Sequence, residues 1–124
     1  MELDLPDVLA EVRDAFARYE AALMANDVAT LDALFWSDPR TIRYGVGENF
    51  YGIEAIRAFR NARSAAGLAR TLERTSITTF GRDIATTSTL YRRTPGQVGR
   101  QMQTWARIDG AWRVVTAHVS SIDG

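Results

Sequence analysis

The sequence contains no cysteine, and its 15 basic residues include no lysine. The first absence excludes disulfides, a thiol nucleophile and cysteine-ligated zinc. The second excludes a Schiff-base lysine and the lysine of a phosphate-binding loop. Every fixed cation is an arginine. The only histidine, His118, cannot build a multi-histidine metal site. Surplus charge is missing as well: 15 acidic residues cancel the 15 basic ones, whereas a nucleic-acid binder carries a strong positive excess. No apolar run approaches the roughly 18 residues a membrane span needs, and no secretory signal opens the chain. The expectation is a soluble, cytoplasmic protein that binds neither nucleic acid nor membrane.

What remains is ordinary globular composition. At 46% hydrophobic and 24% charged over 124 residues, the chain can bury one core and is short for two, so residues 1–124 read as a single domain. From Pro6 to Asn26 the apolar residues Val8, Leu9, Val12, Ala15, Phe16, Tyr19 and Leu23 fall on one helical face. Glu11, Arg13, Asp14, Arg18 and Glu20 fall mostly elsewhere on the wheel and are expected in water. A short second helix carries Leu31, Leu34 and Phe35 and stops at Asp38-Pro39. Thr41 to Tyr44 predicts a brief strand, Gly45 to Gly47 a turn, and Gly52 to Phe59 the opening of a third helix. Beyond Gly67 the segments 71–80, 84–92, 98–108 and 112–122 are rich in Thr, Val, Ile, Tyr and Trp, as strands prefer. Turn residues at 81–83, 95–96 and 109–110 separate them. Helices first and antiparallel strands afterwards make an α+β layout. Helices cover one face of such a sheet, and the other face is a candidate for pairing with a second subunit.

Period-two alternation then places the polar groups. On the third long strand Gln101, Gln103 and Trp105 point one way and Arg100, Met102 and Thr104 the other. On the last strand the same rule puts Trp112, Val114, Thr116, His118 and Ser120 on one face, and Val115, Ala117 and Val119 on the other. Gln101, Gln103, His118 and Ser120 thus line either a cavity or a wet or subunit-covering sheet surface. Tyr19, on the apolar stripe of the first helix, is either a hydrogen-bonded core tyrosine or a functional phenol. Arg43, between Ile42 and Tyr44, points either to water or inward, where its planar fork suits a carboxylate. A triad of His118, Ser120 or Ser121, and Asp123 is rejected, because no nucleophile elbow accompanies it. Glu48, Glu54 and Glu73 lie in unrelated places and make no acid/base pair.

The segments Gly99 to Trp105 (Gly-Arg-Gln-Met-Gln-Thr-Trp) and Gly110 to Ser120 (Gly-Ala-Trp-Arg-Val-Val-Thr-Ala-His-Val-Ser) resemble the AtzH-like family of the NTF2-like (SnoaL-like) superfamily. The stretch 41–45 (Thr-Ile-Arg-Tyr-Gly) and the opening of the third helix, 52–57, share that resemblance. The family includes the oxalurate-catabolism protein HpxZ. The resemblance implies an α+β cone of three helices on a curved, mostly antiparallel sheet, with a pocket inside containing Tyr19 and His118, and a homodimer through the outer sheet face. It also implies a cofactor-free and metal-free amidohydrolase of nitrogen-compound catabolism. The substrate implied is a small anionic ureido acid such as 1,3-dicarboxyurea, with a neighbouring amidase as a possible partner. By that resemblance Tyr19 and Arg43 are the catalytic candidates, and Gln101, Gln103, His118 and Ser120 orient the substrate. Arg43 would anchor the anion, and its charge would ease proton loss from a nearby phenol. A non-catalytic metabolite binder, or an accessory partner of the amidase, needs the same arginine and tyrosine. A SnoaL-type isomerase or dehydratase is the weaker reading, since it calls for a pocket aspartate.

Overall fold

In the computed structural model, which describes residues 1–124, the first helix, α1, spans Pro6–Ala25. Proline at its start has no N–H to leave unsatisfied and a φ already suited to the helix. Asn26 ends α1 in the left-handed region at φ 51°, a conformation asparagine tolerates better than most residues. Asp27 then caps α2 (Val28–Leu34) by accepting a hydrogen bond from the Thr30 N–H at 3.2 Å. Two three-residue strands follow, β1 (Ile42–Tyr44) and β2 (Asn49–Tyr51), paired antiparallel. β2 is not anticipated from sequence, since its three residues are set by pairing with β1 rather than by a pattern of their own. Gly52 opens α3 (Ile53–Ala62) at φ 88°, where a Cβ would also meet the Pro39 carbonyl at 3.3 Å.

The remaining chain forms four long strands close to their expected bounds: β3 (Thr71–Phe80), β4 (Ile84–Arg92), β5 (Gln97–Ile108) and β6 (Ala111–Asp123). The sheet order is β2-β1-β6-β5-β4-β3, with β1 parallel to β6 and the other pairs antiparallel. The helices pack on one face of this curved sheet. Trp105 and Val114, opposite each other on β5 and β6, are fully buried with Leu31, Leu34 and Phe35 of the α2 region. The Trp105 indole N–H is satisfied by Thr87 Oγ1 at 3.0 Å, and that of Trp112 by Glu11 Oε1 of α1 at 2.9 Å. Neither tryptophan therefore buries an unpaired donor, which lets both contribute their full apolar area.

One irregularity decides what faces the interior. Thr104 pairs with Thr116, yet the next residue, Trp105, pairs with Val114. Val115 is the extra residue of a β-bulge, and a bulge reverses the inward and outward sense of everything beyond it. Trp112 and Val114 face the helices as expected, but on the far side Ala117 and Val119 take the inner face. Thr116, His118 and Ser120 are turned outward. The single-face alternation expected for β6 is corrected accordingly, and Tyr19 and His118 lie on opposite sides of the sheet.

Candidate functional site

A small cavity of about 40 Å³ lies between α1, the end of α3 and the inner face of the sheet. Tyr19 enters it from α1, 6% exposed, with its ring 6.2 Å from that of Phe35. Arg43 enters from β1, since its register partner on β6 is the inward-facing Ala117. Gln101 enters from β5 and is 2% exposed. Arg60, Arg63, Arg70 and Arg93 complete a ring of five guanidiniums around the space, with Tyr91 beside them.

Two of the five are neutralised. Arg70 forms a bidentate pair with Glu20, its Nε donating to Oε2 at 3.1 Å and its Nη2 to Oε1. The same Nη2 also donates to Gln101 Oε1 at 2.9 Å. Arg60 pairs with Asp32 at 2.8 Å and lies over the Phe35 ring at 4.2 Å. The other three are poorly matched. Arg43 has only Glu48 at 3.9 Å, and its Nη1 is buried without a hydrogen bond. Arg63 buries both Nε and Nη2 without a partner. Arg93 donates to a neutral acceptor, the Leu68 carbonyl, at 2.9 Å. Burial pulls the guanidiniums of Arg43, Arg63 and Arg93 below their ordinary range, and like charge from neighbouring arginines adds to it. The cavity thus holds surplus positive charge and unmatched donors, which is what an anion requires.

Tyr19, Arg43 and Gln101 are brought together. Gln101 has its carbonyl oxygen occupied by Arg70 and its amide nitrogen buried without a partner, so the nitrogen is the free donor. Gln103 shares the inner face but does not line this cavity; it accepts from Thr87 Oγ1 at 3.1 Å, deeper in the core. His118 and Ser120 are on the outer face. His118 stands edge-on to Tyr44 with ring centroids 5.9 Å apart, and Ser120 Oγ accepts from Arg100 Nε at 3.0 Å. The expectation that these two orient a ligand beside Tyr19 is corrected by the bulge at Val115. His118 instead borders a shallow hollow of about 310 Å³ with Ile42, Tyr44 and Met102, on the sheet face without helices.

The sequence reading missed Glu20, Arg60, Arg63, Arg70, Tyr91 and Arg93. Two carried a readable signal. Arg60 continues the Ile53–Ile56 stripe of α3 and is 3% exposed. Glu20 follows Phe16 by one turn and is 8% exposed, so the expectation that it is wet is corrected. Its partner Arg70, fifty positions away, is what makes the burial tolerable. No three His, Asp or Glu side chains converge as a metal site would need, and no helix is long and apolar enough to cross a membrane.

The AtzH-like family model matches residues 1–124. A crystal structure of a protein of unknown function from Pectobacterium atrosepticum is 57% identical over 98% of this chain and 95% of that one, with a TM-score of 0.95. A cystatin-like fold protein from Burkholderia xenovorans is 47% identical over 100% and 98%, with a TM-score of 0.96. An NTF2-like protein of unknown function from Pseudomonas putida, 21% identical over 94% and 87% with a TM-score of 0.80, shares the fold. Among curated proteins nothing matches the chain.

Proposed function

The chain belongs to the AtzH-like family, and from that premise we propose that it is a cofactor-independent hydrolase of a small anionic ureido or carboxyurea acid. The observation that supports this reading is the meeting of Tyr19 with guanidiniums in excess of their carboxylates around one small cavity. Arg43 holds a substrate carboxylate by charge-assisted hydrogen bonds. Gln101 offers its unpaired amide N–H groups to a second oxygen. Tyr19 is the proton-transfer group, placed to donate to a leaving nitrogen. For 1,3-dicarboxyurea, water adds to a terminal carboxyl carbon and the C–N bond breaks. The carboxyl then departs as bicarbonate while the nitrogen takes up a proton, leaving allophanate.

The experiment is incubation of the purified protein with 1,3-dicarboxyurea and related ureido acids, following bicarbonate and ammonia together. Product formation above the uncatalysed rate supports the hydrolase. A second reading, a metabolite-binding or accessory partner of an amidase, is favoured by the cavity's own chemistry: apart from its two phenols, its polar lining consists of arginines and one glutamine, which hold an anion without attacking it. Binding without turnover on every ureido acid would select that reading. In either case the proposal includes a homodimer through the outer sheet face, where Met102 is 60% and Tyr51 62% exposed.

A further inference from the structure

Arg63 is the one side chain that buries two nitrogens without a partner. It ends α3, and both Nε and Nη2 are buried without a hydrogen-bond acceptor. Its guanidinium lies over the Phe59 ring at 5.5 Å, and that of Arg43 over the same ring at 5.0 Å. Two cations thus contact one aromatic side chain and line one cavity, where Arg60 and Arg70 are already neutralised by Asp32 and Glu20. Proximity to the C-terminal end of α3 favours a cation, but it consumes none of the buried donors. Water can accept those bonds, yet it leaves the surplus charge in place.

We propose that Arg63 is a second anion anchor on the cavity that Arg43 also lines, which makes the site selective for ligands carrying two carboxylates over ligands carrying one. The inference rests on the ureido-acid reading for its substrate class and deepens it. A single carboxylate engages Arg43 and leaves Arg63 desolvated and unpaired. A two-headed anion supplies acceptors to both, and the advantage is the satisfaction of donors that folding has already stripped of water. Arg63 is in this sense a specificity-determining residue and has no part in proton transfer.

The test uses malonate and acetate as probes, titrated calorimetrically into wild type, Arg63→Gln and Arg63→Lys. Wild type is expected to bind malonate more tightly than acetate by about tenfold or more, the worth of one charge-assisted contact. Arg63→Gln should abolish that preference, weakening malonate by far more than acetate. Arg63→Lys, which restores the charge without the fork, should recover part of it. A malonate preference that survives Arg63→Gln, or its absence from wild type, overturns the assignment. Acetate binding without a malonate preference removes the second anchor alone and leaves the ureido-acid reading to its turnover assay. Failure of both anions to bind removes the anion pocket itself, and both readings fall together.

Discussion

Arg70 donates to Gln101 Oε1 at 2.9 Å while its other bonds go to Glu20, so a buried carboxylate on α1 sets the orientation of an amide on β5. With its oxygen occupied, the Gln101 amide can present only N–H groups to the cavity. The site is therefore donor-rich on every polar side that does not belong to a tyrosine.

Tyr19→Phe and Arg43→Ala are expected to fail differently. Tyr19→Phe keeps the ring packed against Phe35, so fold and ligand affinity should persist while turnover falls by about 10²–10⁴. Arg43→Ala removes a contact made in ground and transition states alike, so it should raise KM before it lowers kcat. Steady-state kinetics on a ureido acid, with calorimetric binding alongside, checks both. Turnover unchanged in Tyr19→Phe would remove Tyr19 from the chemistry.

Glu20→Ala should be among the most damaging single changes in the helical layer. It strands Arg70, whose side chain is 2% exposed, without its counter-charge. Breaking one side of a buried ion pair costs about 3–5 kcal/mol. Urea denaturation should show a lowered midpoint of that order. A midpoint close to wild type would mean that Arg70 finds other solvation.

Gly99→Ala probes the wall between cavity and exterior. A Cβ at Gly99 would sit 2.0 Å from Tyr91 Cζ, so the Tyr91 ring must move. That ring carries the Arg70 guanidinium at 4.5 Å and Arg93 at 5.4 Å. Overpacking of this kind costs about 1–3 kcal/mol. The substitution should lower the denaturation midpoint and weaken anion binding together. Loss of stability with affinity intact would separate the Tyr91 wall from the site.

The dimer predicts twice the monomer mass in light scattering at micromolar protein. Met102→Glu, placing a charge at the middle of the outer face beside His118, should shift the population to monomer without changing the fold by circular dichroism. A wild-type monomer under the same conditions would remove the dimer.

Helices, strands and turns were legible because each is set by neighbours in sequence. The apolar period of α1 and the β-prone segments after Gly67 locate α1 and the four long strands to within a residue or two. Tyr19 is legible as an inward residue because it sits on the apolar stripe of α1, whereas the direction of Arg43 and the surroundings of the Gln101 face stay open until the sheet is assembled. The phase itself failed on β6. A bulge is a property of how two strands pair, and no residue of the Val114–Ser120 stretch announces that Val115 will be left unpaired against β5. One unpaired residue moved His118 and Ser120 to the other side of the sheet.

The arginine ring was illegible for a related reason. Arg43, Arg60, Arg63, Arg70 and Arg93 come from β1, α3, the segment after it and the two ends of the β3–β4 hairpin. Arg63, Arg70 and Arg93 alone read as solvated surface charges, and only the packing of the sheet against α1 and α3 gathers them with Arg43 and Arg60. What the amino-acid order determined was the periodicity of the elements, the exclusive use of arginine as cation and the absence of thiol chemistry. What tertiary structure decided was which charges are paired, because pairing Glu20 with Arg70 and Asp32 with Arg60 depends on distances set by packing across the whole chain. Burial raises the energetic cost of an unpaired charge, so the three arginines left poorly matched become visible as a site only once the fold has removed them from water.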